Sequence, residues 1–191
     1  MSPADPAEPE ETISIRHVRP GDIGAVAEIL ESEHVNQGTQ RLPFHPLSVI
    51  EARLADDPAK FKLVAEIGGR VAGYGELETW PDRPRLCHGG EVDMVATHPA
   101  FRGRGVGRAL LAAMVDLSDR WLQLSRLQLF VWEGNDRAIR LYEEFGFAAE
   151  GRLRQFVFVD GVYRDAFLMA RLKERQIAAG PAEGGPELPR P

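Results

Sequence analysis

The sequence has little cysteine: Cys87 is the single one in 191 residues, so no internal disulfide can form. No spacing of cysteine and histidine resembles a zinc site, and no metal is expected. A reducing compartment is the usual place for such a chain, which predicts a cytoplasmic protein. Apolar runs long enough to span a bilayer are also missing, and segment 1–11 lacks the apolar stretch of a secretory signal. We therefore expect neither a membrane partner nor secretion.

Basic residues are not in excess. The chain has 23 Lys and Arg against 29 Asp and Glu, a formal net charge of −6. Proteins that bind nucleic acids generally present a basic surface, so a nucleic-acid partner is not expected. A content of 43% hydrophobic and 27% charged residues is typical of a globular protein, and the length is sufficient for one core.

The two ends differ in composition from the middle. Residues 1–11 and 175–191 are poor in large apolar side chains and rich in Pro, Gly, Ala and Glu, which favours disorder over a packed core. We interpret them as disordered tails around a single domain of residues 12–174.

Within this domain the hydrophobic pattern predicts the order β, α, α, β, β, β, α, β, α, β, β. The dipeptides Gly68-Gly69 and Asp160-Gly161 indicate hairpin turns, whereas segment 34–46 has no clean period and is interpreted as irregular chain that faces a substrate. The clearest helix follows Gly105, because apolar residues recur at helical spacing: Val106, Leu110, Met114, Leu117 and Trp121. The expected fold class is α/β, in the α+β sense, around a mixed and mostly antiparallel sheet.

Segment 102–108, Arg-Gly-Arg-Gly-Val-Gly-Arg, lies between a predicted strand and this helix. Backbone N–H groups at a helix N-terminus favour an anion, the glycines allow close approach of a diphosphate, and three arginines add positive charge. The segment matches neither the nucleotide-hydrolase loop nor the dinucleotide fingerprint, so hydrolysis of nucleotides and hydride transfer lose support. A glycine-rich turn with solvated arginines is the alternative interpretation.

Two motifs in register carry a family resemblance. Residues 95–107, VATHPAFRGRGVG, resemble the [QR]-x-x-G-x-[GA] cofactor motif of the GNAT superfamily of acyl-CoA N-acyltransferases, and residues 135–147, NDRAIRLYEEFGF, resemble its second signature. The similarity covers about residues 13–172. Within the superfamily the sequence is most similar to the bacterial L-amino-acid N-acetyltransferases.

This resemblance implies a sheet with a splayed central strand and flanking helices, and acetyl-CoA as co-substrate. The splayed strand and the glycine-rich loop would bind the co-substrate, and the implied binding residues are Val95, Ala96, Thr97, Arg102, Gly103, Arg104, Gly105, Val106, Gly107, Arg108, Asn135 and Ala138. For Asn135, a helix N-cap is the alternative interpretation.

Candidate catalytic residues follow from the chemistry of amine acetylation. Deprotonating an amine at pH 7 costs about 1.4 kcal/mol for an α-amino group but about 4.6 kcal/mol for lysine, so a general base helps. Glu91 and Asp93 alternate with apolar residues on one strand, and either carboxylate is a candidate base; the alternative for each is a solvated or arginine-paired acid. Tyr142 occupies the position where the family often has a proton donor for the leaving thiolate, and a core tyrosine is the alternative.

Three functions remain open at this stage. The first is acetyl-CoA-dependent N-acetylation of a small-molecule primary amine, with an L-amino acid as one candidate, by direct attack in a ternary complex. The second is acetylation of a peptide N-terminus or lysine, and the third is a non-catalytic acyl-CoA-binding module. The expected partner is a small-molecule amine, and a homodimer stays open.

Overall fold

The computed structural model describes residues 12–173, so the predicted tails at 1–11 and 175–191 and the last predicted domain residue lie outside the described chain. Within it, one seven-stranded sheet has the order β1-β2-β3-β4-β5-β7-β6. Every pairing is antiparallel except that of β4 with β5. The strands are β1 Ser14–His17, β2 Lys60–Ile67, β3 Arg70–Thr79, β4 Gly89–Thr97, β5 Arg126–Trp132, β6 Ala148–Val159 and β7 Val162–Leu172.

Helices cover both faces of this sheet, as the expected fold class requires. They are α1 Ile23–Glu31, α2 Glu33–Gly38, α3 Leu47–Leu54, α4 Val106–Arg120 and α5 Asp136–Glu144. Leu110, Leu111 and Met114 of α4 belong to a buried apolar cluster on one face. Ile29 and Leu30 of α1 belong to a second cluster on the opposite face. The mixed, mostly antiparallel sheet with flanking helices is thereby confirmed. No helix in the range 12–173 is both long and apolar enough to cross a membrane.

Two details of the sequence interpretation were wrong. The segment predicted to be irregular begins with a short helix, α2, in which Val35 alone is buried, so its sequence shows no repeating apolar spacing. The apolar stripe of α4 was extended too far, since the helix ends at Arg120 and the following Trp121 is 72% exposed.

The hairpin turns are formed as predicted. Gly68 and Gly69 have φ values of 56° and 74°, and Asp160 and Gly161 have φ values of 50° and 77°. Two consecutive residues of positive φ match the right-handed twist of the paired strands, which explains why glycine occupies three of these four positions and aspartate the other.

Helix α4 packs unusually close to β3. A Cβ atom at Gly73 would lie 2.4 Å from Cγ1 of Val106 and 2.9 Å from the carbonyl oxygen of Ala96. At Gly75 it would lie 3.3 Å from Cε of Met114. Because any side chain at Gly73 would displace the first turn of α4, these glycines set the position of the glycine-rich loop over the sheet.

Strand β4 separates from β5 soon after the two begin to pair. Their parallel pairing in the described chain is confined to three register pairs, Gly89–Arg126, Gly90–Leu127 and Glu91–Gln128. Strand β4 continues to Thr97 and β5 to Trp132, so the two diverge and leave a gap between them. This is the splayed central strand that the resemblance implied.

Candidate active site

The gap between β4 and β5 opens into a cleft of about 880 Å³. Its walls come from the ends of both strands, the first turn of α4, helix α5 and the chain from α2 to α3. The cleft is lined by every residue that the sequence assigned to the site except Arg104. Residues far apart in sequence, such as His34 and Arg108, thus meet around one space.

The glycine-rich loop ends at the N-terminus of α4. Gly103 and Gly105 have φ values of 81° and 82°, and Gly105 is the N-cap residue. The first helical bond runs from the amide of Ala109 to the carbonyl of Gly105 at 3.0 Å. In the described chain no side chain caps this helix, so the amides of Val106 and Gly107 remain available to an anion.

The three arginines of the loop have different surroundings. Arg102 is exposed on the cleft wall. Arg104 lies outside the cleft lining, with its guanidinium carbon 5.4 Å from the centre of the Phe101 ring, and this cation–π contact gives a physical reason for its different direction. Arg108 forms an ion pair with Glu144 of α5, across one side of the cleft.

The edge of β4 that faces the gap is partly occupied by the protein itself. Nε2 of His34 lies 2.9 Å from the carbonyl oxygen of Thr97 and donates to it. Val95 and Ala96 also line the cleft, and their backbone pairs with β3 on the other side. Main-chain groups of this edge are therefore the ones that a ligand entering the gap meets first.

Both candidate carboxylates face the cleft, but their environments differ. Glu91 is half-buried and accepts a hydrogen bond from Nε2 of Gln128 at 2.9 Å. Burial raises the pKa of Glu91, and the neighbouring negative charge of Asp93 raises it further. Asp93 is exposed and forms an ion pair with Arg53 of α3. Glu91 is thus the better proton acceptor, because a raised pKa makes its carboxylate the stronger base.

A buried ionic cluster beneath the cleft was not anticipated from the sequence. Glu76 of β3 is fully buried, accepts a hydrogen bond from the Tyr74 hydroxyl at 2.7 Å, and lies 2.9 Å from Nε of Arg53. Nζ of Lys60 is 3.4 Å from the other Glu76 oxygen. The sequence signal that could have indicated this cluster is Glu76 itself, a glutamate at a buried position in the middle of β3. Since Arg53 also pairs with Asp93, the cluster holds that carboxylate in place.

Tyr142 projects from α5 into the cleft lining, with its ring 6.0 Å from that of Phe147. Burial raises the pKa of Tyr142 to about 12, so its hydroxyl carries a proton at neutral pH. At the start of the same helix, Oδ1 of Asn135 accepts from the amide of Ala138 at 3.3 Å. Asn135 is therefore an N-cap, and its amide nitrogen remains on the cleft side as a potential donor.

The described residues contain no group of three or more His, Cys, Asp or Glu side chains placed to hold a metal ion. The polar groups that they do place around the cleft include helix amides, several guanidinium groups, the carboxylates of Glu91 and Asp93 and a neutral phenol. This set suits binding of a phosphorylated ligand at one end and proton transfer at the other.

Comparison with known proteins agrees with this geometry. Residues 25–147 match the model of the acetyltransferase (GNAT) family. The chain is 34% identical over 161 residues to the L-amino acid N-acetyltransferase AaaT of Escherichia coli K12, covering 84% of this chain and 98% of that protein. It is 27% identical over 135 residues to a spermidine N(1)-acetyltransferase of the same organism, covering 71% of this chain and 70% of that one.

A solved structure agrees as well. The spermidine N-acetyltransferase of Vibrio cholerae in complex with CoA and spermine superposes with a TM-score of 0.74 at 25% identity, over 84% of this chain and 95% of that one. Fold, family model and sequence relatives thus point the same way. The chain belongs to the acetyltransferase (GNAT) family and is an acetyl-CoA-dependent N-acetyltransferase.

Proposed function

We propose that this enzyme acetylates the primary amine of a small molecule, with an L-amino acid as the first candidate acceptor. One observation carries the proposal: the anion-binding end of the cleft and the Glu91 and Asp93 carboxylates face the same space across β4. The similarity to AaaT, an L-amino acid N-acetyltransferase, supports the choice of acceptor.

A thiol-release assay with acetyl-CoA against amino acids, polyamines and peptides tests the proposed acceptor. If a peptide is the best substrate, the acceptor class is a peptide and not a small molecule. If none of the amines causes thiol release, the result favours a non-catalytic binding module.

In this proposal the diphosphate of acetyl-CoA lies on the amides of Gly105, Val106 and Gly107, with Arg102 adding charge. Oriented amides at a helix N-terminus and a guanidinium both favour phosphate oxygens. The pantetheine arm then follows the free edge of β4 at Val95 and Ala96, as an added strand would, and the thioester reaches the carboxylate end of the cleft.

The acceptor amine loses its proton to Glu91, directly or through a water molecule, and then attacks the thioester carbon. A main-chain N–H of β4 near Val95 stabilises the oxygen that becomes negative. As the adduct collapses, the C–S bond breaks, Tyr142 hydrogen-bonds the departing thiolate, and the second amine proton passes through water to the sulfur, which leaves as the free thiol. With a pKa of about 12 for Tyr142 against about 8.5 for an ordinary thiol, complete proton transfer would be uphill by roughly 5 kcal/mol. A hydrogen bond to the thiolate is therefore the larger part of its contribution.

The first prediction concerns the anion site. Arg102→Glu places a negative charge beside the diphosphate, and we expect the dissociation constant of acetyl-CoA to rise at least tenfold, about 1.4 kcal/mol. Isothermal titration calorimetry measures it. Arg120→Glu is the matched control, because Arg120 is exposed at the far end of α4 and the change in net charge is the same. Equal affinities for the two variants would refute the loop assignment.

The second prediction concerns the phenol. Tyr142→Phe removes one hydrogen-bond donor and keeps the ring packed near Phe147. We expect kcat to fall about 10- to 100-fold with little change in KM, since the lost interaction forms as the thiolate develops. Steady-state kinetics with acetyl-CoA decide this, and a kcat like that of the wild type would remove Tyr142 from the reaction.

The third prediction separates the two carboxylates by pH. Glu91→Gln should lower kcat/KM strongly and abolish the acidic limb of its pH profile, because that limb reports protonation of the base. Asp93→Asn should keep the limb but move it to lower pH, since the negative charge that raises the pKa of Glu91 is gone. A limb that disappears in Asp93→Asn and persists in Glu91→Gln would reverse the assignment.

We also propose that the enzyme acts in the bacterial cytoplasm as a homodimer. The lone exposed Cys87 thiol suits a reducing compartment, and the named relatives are bacterial. Phe158, Val162 and Tyr163 of the β6–β7 hairpin are 60%, 51% and 65% exposed, an apolar surface that a second copy would cover. Cell fractionation tests the location. Sedimentation velocity tests the dimer, and a monomer at micromolar concentration would contradict it.

A further inference from the structure

Arg41 is a shielded cation in the wall of the cleft. It follows α2 in the chain toward α3 and lines the same space as Glu91 and Asp93. Its Nε and Nη2 atoms are shielded from solvent, and neither has a hydrogen-bond partner among residues 12–173. Arg41 as a whole is only half-buried, but shielding two guanidinium N–H groups without a hydrogen-bond acceptor is costly, so this edge of the side chain indicates an acceptor, such as an anion, that arrives from outside the protein.

The neighbours of Arg41 do not supply that anion. Arg53, the charged group with the largest electrostatic effect on Arg41, is itself a cation, and its charge is compensated by Glu76 and Asp93. Burial lowers the pKa of Arg41, and the positive charge of Arg53 lowers it further. Glu31 opposes this effect but forms no ion pair with Arg41 within the described residues. A guanidinium stays protonated even so, and the positive potential at this wall remains uncompensated.

We propose that Arg41 determines acceptor specificity by pairing with a carboxylate of the amine substrate. The proposal rests on the proposed function and narrows its acceptors to amines that carry an anionic group, as α-amino acids do. A planar guanidinium matches a carboxylate bidentately, which orients the substrate as well as attracting it. A cationic polyamine has no carboxylate to pair with Arg41 and would bring a second positive charge beside that guanidinium, which disfavours its binding.

The chemistry of the amine agrees with this assignment. Deprotonation at pH 7 costs about 1.4 kcal/mol for a peptide α-amino group and about 4.6 kcal/mol for an alkyl ammonium such as lysine. The amine of a free α-amino acid lies between these two, because its own carboxylate raises the pKa of the amine, and pairing that carboxylate with Arg41 would lower the amine pKa again and make Glu91 a more effective base. The carboxylate of an α-amino acid is two bonds from its nitrogen, so Arg41 and Glu91 would act on opposite sides of one small molecule.

The test compares three acceptors with four proteins. The acceptors are the L-amino acid that gives the fastest thiol release, the primary carboxamide of that amino acid, and spermidine. The proteins are the wild type, Arg41→Gln, Arg41→Lys, and Arg120→Gln as a control at the protein surface. We expect the wild type to prefer the amino acid over its carboxamide at least 30-fold in kcat/KM, about 2 kcal/mol. Arg41→Gln should lose that preference, Arg41→Lys should retain part of it, and Arg120→Gln should keep all of it.

Two further readouts exclude a merely structural role. Removing an unpaired buried charge should leave Tm unchanged or raise it, and the affinity for acetyl-CoA should stay within twofold of the wild type. The N-acetylated product of the amino acid should raise Tm of the wild type but not of Arg41→Gln, while the N-acetylated carboxamide raises neither.

Different results would overturn different parts of the proposal. The role of Arg41 would be refuted if the wild type accepts the carboxamide or spermidine as well as it accepts the amino acid. It would also be refuted if Arg41→Gln keeps the wild-type preference for the amino acid over its carboxamide. Either result would leave acetylation of small amines intact. Absence of thiol release with every amine would refute the proposed function. In that case the Tm measurement still tests the anion site. A rise in Tm with the N-acetylated amino acid that is lost in Arg41→Gln would support the site, and no such rise in the wild type would refute it.

Discussion

The site depends on the early end of the pairing between β4 and β5. Three register pairs hold the strands together, and beyond them the chain leaves backbone groups of β4 without a neighbouring strand. Such groups need partners, and in a buried sheet an unpaired edge would be costly. Here the edge faces a cleft, so a ligand that runs along β4 can supply the missing hydrogen bonds. Binding of the co-substrate and completion of the sheet are in this sense the same event.

Charge is distributed along the cleft in a graded way. At one end the first turn of α4 and Arg102 present positive potential, and the nearby Glu144 carboxylate is paired with Arg108. In the middle, Glu91 accepts a hydrogen bond from Gln128, and burial keeps the pKa of its carboxyl raised, which makes it a stronger base. At the other wall the Arg53–Glu76 pair is compensated and Arg41 is not. A net negative protein thus concentrates local positive potential at the two places where an anionic group would have to be bound.

Sequence reasoning gave most of the fold and the outline of the site, and its failures have physical causes. Glycine pairs fix turns locally, and α4 carries enough repeating apolar positions to be recognised alone. Helix α2 does not, because a single buried Val35 sets no period. The environments of Arg41 and Glu76 depend on which distant strands and helices surround them, which spacing does not encode. The direction of Arg104 likewise depends on the position of the Phe101 ring.

The two glycines of β3 have a further consequence. Because Gly73 has no side chain, Val106 packs directly against the backbone of β3, and this close contact fixes the start of α4 on the sheet. The amides of its first turn are consequently immobilised when the chain folds, and little conformational entropy is left for them to lose when a diphosphate binds. Affinity for the nucleotide end of acetyl-CoA would then be set by a residue that never touches it, on a strand behind the helix.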